Sequence, residues 1–102
     1  MFEGYNQHFD GIARLTILKG LAEQSDGRLN DAMLQVVLQT FGINKGRDYL
    51  RTQLAWLDGE AHAIRLLEVG SAVIAEILEA GVDHVERRRI IPGIAKPSAP
   101  RG

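Results

Sequence analysis

Apolar residues change their spacing after about residue 57, and that change sets the order of the chain's elements. Up to about residue 57 they recur at intervals of three and four, the signature of one helical face; from 63 to 75 they form short β-prone runs. The first helical segment is roughly Gly11–Glu23. Ile12, Leu15, Leu18 and Ala22 form its stripe, Ile17 and Leu21 lie alongside, and Asp10 stands as N-cap. Ser25-Asp26-Gly27 stops it. Asn30 caps a second helix, and Asp31 favours the positive end of its dipole. Its apolar face pairs Ala32/Met33, Val36/Val37 and Thr40/Phe41, and Gly42 is a natural residue just past its end.

A third helix spans about Arg47–Leu57 after the link Ile43-Asn44-Lys45, with Gly46 at the cap and Asp58-Gly59 at the end. Leu50, Leu54 and Leu57 make its buried seam, while Asp48, Arg51, Thr52 and Ala55 point the other way, flanked by Lys45, Tyr49 and Trp56. Ala63–Leu67 and Ala72–Ala75 then read as a hairpin about Glu68-Val69-Gly70-Ser71. A short closing helix, about Leu78–Arg87, carries Leu78, Val82 and Val85 on one side and is weakened by Gly81. Prolines at 92, 97 and 100 exclude regular structure beyond Arg88.

Three helices, a hairpin and a closing helix predict an α+β winged helix-turn-helix, in which the hairpin covers a three-helix core. The expected division is a winged-helix domain at 8–87 and a flexible basic C-terminal tail at 88–102. A chain of 102 residues holds one such domain, and 45% apolar with 25% charged residues excludes wholesale disorder. Ile90, Ile91 and Ile94 within the tail call for a surface, either on the domain or on a second subunit.

The stretch Gly42–Leu57 resembles the recognition-helix region of small winged-helix proteins of Mu-like bacteriophages and prophages, often labelled ArsR-type regulators. Arg47-Asp48, Arg51 and Leu54-Ala55-Trp56-Leu57 match that family's pattern. Arg28-Leu29-Asn30, Leu34-Gln35, Leu78–Asp83, Ile91-Pro92-Gly93-Ile94 and Lys96-Pro97-Ser98 are similar to it as well, so the likeness covers about residues 10–98. Gly46 stands where the family usually has serine, and Ala61-His62-Ala63 where it tends to read Gly-Leu-Val. The resemblance implies the winged-helix fold and a DNA-binding role.

Charge distribution points the same way. The net charge is −1, yet residues 44–57 carry +2, residues 58–83 carry −5 and residues 84–102 carry +4. A polyanion responds to that distribution more than to its sum. Double-stranded DNA is the expected partner, with the exposed side of the third helix in the major groove. Lys45, Arg47, Asp48, Arg51 and Thr52 are the candidate contacts there; arginine can grip guanine, and Asp48 is expected to pair with Arg51 or Arg47 and orient them. Arg65, the sole cation of an acidic wing, can reach the minor groove. Arg87, Arg88 and Arg89 can follow phosphates as an arm. Trp56 and Tyr49 read as packing residues. A homodimer on palindromic half-sites would use the first helix and the tail.

Other classes fare worse. No cysteine is present, His8, His62 and His84 stand apart, and no phosphate loop or nucleophile motif occurs, so no metal, cofactor, small-molecule effector or enzymatic activity is expected. The start Met-Phe-Glu-Gly-Tyr-Asn-Gln-His has no signal-peptide pattern, and no run suits a membrane span, which predicts the cytoplasm of a bacterial host. The alternative is a protein–protein adaptor of phage assembly with the same fold and no DNA binding, which the acidic segment 58–83 favours.

Overall fold

A computed structural model describes residues 3–98. It is an α+β structure of four helices and a three-stranded antiparallel sheet. The order is α1 (Glu3–Ala22), β1 (Arg28–Asn30), α2 (Asp31–Thr40), α3 (Arg47–Gly59), β2 (Ile64–Val69), β3 (Ala72–Ile77) and α4 (Glu79–Val85). Within the sheet β3 lies between β1 and β2.

The core is built where α1, α2 and α3 face the inner side of the sheet. Ile17, Leu18 and Leu21 of α1 meet Leu34 and Leu38 of α2, Leu50, Leu54 and Leu57 of α3, and Ile64 and Ala75 of the sheet. The seam of α3 is the expected one, with Gln53 added. The hairpin is also as expected but longer. Its strands extend until only Gly70 and Ser71 connect them, and Gly70 takes φ 62°, the left-handed value that a two-residue turn of this hand needs.

Several expectations are corrected. Helix α1 begins two turns before Gly11, because Phe9 packs edge-on against Tyr49 at 6.0 Å and anchors the extra turns. Asp10 is therefore inside the helix and caps nothing. The faces of α1 and α2 are rotated from the expected ones. Ala13 and Ile17 are buried while Ile12 is exposed; in α2 the seam is Asp31, Leu34 and Leu38, and Met33, Val36 and Phe41 face outward. Each helix carries two apolar stripes, and only packing decides between them. Strand β1 was not expected. Its three residues pair with β3 in the register Arg28–Glu76, Leu29–Ala75 and Asn30–Ile74, and Asn30 still caps α2 by accepting a hydrogen bond from the Met33 N–H at 2.8 Å.

The largest correction concerns the chain after α4. Through Ser98 it is a strap packed on the domain, not a flexible tail. Ile91 and Ile94 are buried in the core, while Ile90 stays exposed. His84, fully buried, holds the strap at two points: the Ile91 N–H donates to Nδ1 at 3.1 Å, which leaves Nε2–H to donate to the Ala95 carbonyl at 2.9 Å. The Ala95 N–H then donates to the Gly11 carbonyl on α1. Core residues thus continue beyond the expected boundary at 87. Residues 99–102 of the expected tail, Arg101 among them, lie outside the described residues.

Candidate nucleic-acid interface

Helix α3 presents Asp48, Arg51, Thr52 and Ala55 to solvent because its leucine seam turns the opposite face inward. Gly46 gives its N-terminus no side-chain cap. Arg47 and Arg51, one turn apart, are brought together by a residue on α2. Asp31 is only 2% exposed, and its Oδ2 accepts from Arg51 Nη2 at 2.7 Å and from Arg47 Nη1 at 3.4 Å. Gln35, one turn along α2, accepts from Arg47 Nε at 3.1 Å and donates to the Lys45 carbonyl at 3.2 Å. Arg51 Nη2 also donates to the Ser71 carbonyl at the hairpin tip, at 3.0 Å. Both arginine side chains nonetheless keep more than two-fifths of their surface in solvent. They are held, and they are reachable.

Asp31 stands in the first turn of α2 as expected and has a second role there, holding both arginines. Asp48, expected to orient the arginines, makes no side-chain hydrogen bond or ion pair among the described residues; its backbone carbonyl accepts from Thr52 Oγ1. The only available signal was an acid at the first position of α2, which ordinarily serves the helix dipole. Burial works to raise the Asp31 carboxyl, but the hydrogen bond from Arg51, the Arg47 charge and the Ala32 N–H outweigh it and hold the carboxyl below its ordinary value.

A depressed carboxyl stabilises the fold above the ordinary carboxylate range, near pH 4, and that contribution is lost as pH falls through the depressed value. Asp31→Asn is expected to cost about 1–3 kcal/mol at pH 7. The gap from wild type should close as urea unfolding is repeated toward pH 2. A gap independent of pH would show that the ionised carboxylate is not what the arginines need.

The remaining candidates fall into other groups. Lys45 Nζ lies 5.3 Å from the Phe9 ring centroid and 5.6 Å from that of Tyr49. Arg65 is paired with Glu76, which also faces Arg28 at 3.6 Å across the sheet, so the hairpin cation is largely neutralised. Arg65 holds the Glu76 carboxyl below its ordinary value by hydrogen bonding. Arg88 binds Asp83 at 2.8 Å and Glu86 at 3.1 Å, while Arg87 and Arg89 are exposed. Of these three arginines only Arg88 is ion-paired among the described residues.

Tyr49 and Trp56 are packing residues, as expected. The Tyr49 hydroxyl donates to Asp10 at 2.5 Å, and burial, that bond and the Asp10 charge push its ionisation well up. Trp56 lies under the Arg14 guanidinium at 3.8 Å, and Arg14 in turn donates to Gln53 and to the Gly93 carbonyl. Among the described residues no three His, Asp or Glu side chains are grouped to hold a metal ion. Nor, among the described residues, is any helix long and apolar enough to cross a membrane.

Over 84 residues the chain is 29% identical to the uncharacterized protein gp26 of Escherichia phage Mu, across 82% of this chain and 85% of that one. This similarity supports a Mu-like phage origin. No family model and no solved structure matches the chain.

Proposed function

We propose that this chain is a phage-derived winged-helix protein that binds double-stranded DNA as a transcriptional regulator, with α3 in the major groove. The order helix, strand, helix, helix, hairpin supports that reading of the fold, with β1 as the third strand beside the hairpin. One observation carries the functional part: the buried Asp31 carboxylate fixes Arg47 and Arg51 in place while their outer surfaces stay wet. Immobilising a long side chain on binding costs about 0.5–1.5 kcal/mol, and a tether formed during folding removes much of that cost. A guanidinium has five N–H donors, and these bonds leave several free for guanine or phosphate oxygens. Lys45 lies exposed in the link just before α3 and Thr52 on its exposed face next to Arg51, so contact with about three phosphates is expected.

The test is a titration of duplex DNA against salt. Three phosphates give a log–log slope of about −2.7. Arg51→Lys keeps a charge for Asp31 but loses the planar fork. It should weaken the preferred site by about 1–3 kcal/mol and leave random duplex almost unaffected. Unchanged preference would reject Arg51 as a reader of bases.

A second reading, the protein–protein adaptor, is favoured by the outer faces of α1 and α2. Ile12, Met33, Val36 and Phe41 are exposed there, Phe41 by 70%, beside a groove of about 580 Å³. Exposed apolar surface gathered on one face marks protein contact more often than nucleic-acid contact. Absence of duplex binding at about 50 mM salt, where phosphate contacts are strongest, decides for the adaptor.

A further inference from the structure

Arg87 has φ 67°, a left-handed backbone that side-chain-bearing residues rarely adopt. It follows the cap residue of α4, where glycine is the usual choice for this turn. Its N–H closes the turn by donating to the His84 carbonyl at 3.1 Å, a bond that glycine would make equally well. Its side chain makes no hydrogen bond or ion pair among the described residues. An arginine thus occupies a strained position without repaying the fold, and such outliers concentrate at functional sites.

The turn separates three consecutive arginines. Arg88 swings back to Asp83 and Glu86, whereas Arg87 and Arg89 border a hollow of about 200 Å³ together with Ile90, Lys96 and Pro97. No carboxylate lines it. His84, also in the lining, ties the two sides together. It bonds the Ile91 N–H two residues from Arg89 and the Ala95 carbonyl beside Lys96, so the bases of these cations are fixed before any ligand arrives. Three cations share the rim, and among the described residues none of its lining side chains is an acid.

We propose that Arg87, Arg89 and Lys96 form a phosphate-binding site, with the guanidinium forks gripping oxygen pairs and the ammonium serving as a point charge. The hollow is smaller than sites that enclose whole small molecules, so it takes the phosphate group and leaves the rest of its carrier outside. The carrier is a nucleic-acid backbone or a free phosphorylated compound. The site does not depend on what α3 does.

The probe is inorganic pyrophosphate, titrated into the full chain at constant ionic strength and followed by amide chemical shifts. Saturable shifts are expected at Arg87, Arg89, Ile90 and Lys96, with little change on α3. Arg87→Gln/Arg89→Gln should weaken binding at least about tenfold, since two charge-assisted contacts are lost. Arg88→Gln should stay within about twofold, because only exposed pairs are removed. Arg87→Gly should raise the urea midpoint while weakening pyrophosphate binding, an opposition that a merely structural arginine would not produce. Duplex DNA that competes with pyrophosphate assigns the backbone as carrier, and absence of competition assigns a free compound. Shifts that never saturate overturn the proposal. So does an Arg88→Gln variant as impaired as the double variant, or an Arg87→Gly variant that binds normally.

Discussion

His84→Ala is expected to lower stability by about 3–5 kcal/mol, more than a surface histidine would suggest. The side chain is fully buried, so its removal opens a cavity, and it leaves the Ile91 N–H and the Ala95 carbonyl without their partner. The strap should loosen before the helices do. Amide exchange at 91–95 should quicken more than at Leu50 or Leu54. The only tryptophan, Trp56, reports the same event, because Gly93 packs against its ring and Arg14 bridges the two. Equal loosening throughout would mean that the strap is no separate unit.

The second large effect is at Gly81, where helix propensity and packing disagree in sign. In an open helix, Gly→Ala gains about 1 kcal/mol. Here a Cβ would lie 2.6 Å from the Ala63 carbonyl oxygen and 2.8 Å from Ile77 Cγ1. The oxygen cannot easily retreat, since it accepts the Leu78 N–H at 2.9 Å. Gly81→Ala is therefore expected to destabilise, and Gly81→Val to cost about 3 kcal/mol or more. Thermal unfolding checks both, and an alanine variant with a raised midpoint would overturn the close approach. The glycine that reads as a weak point in α4 is what lets α4 reach the sheet.

These two residues mark where sequence reasoning stops. Signals carried by neighbours in the chain were legible: the Asn30 cap, the Leu50–Leu54–Leu57 seam, and a hairpin turning within Glu68-Val69-Gly70-Ser71. Features that depend on distant partners were not. Strand β1 exists only because β3 lies beside it, and three residues carry no pattern of their own. Met33 and Val36 look as fit for a core as Leu34 and Leu38. Proline and glycine rule out a helix at 91–98, but they do not rule out a fixed path. Of the candidate site, Arg47 and Arg51 were legible as charges on an outward face, whereas Asp31 sits sixteen and twenty residues away and resembles an ordinary helix-start acid.

The arrangement at Asp31 leaves a mark that evolution should preserve. One carboxylate serves two guanidinium groups, so the three side chains are mutationally linked. A homologue that loses the acid would be left with two adjacent cations and nothing between them. Aligned relatives should therefore exchange position 31 in concert with 47 or 51, whereas Asp48, bound to neither, should drift independently.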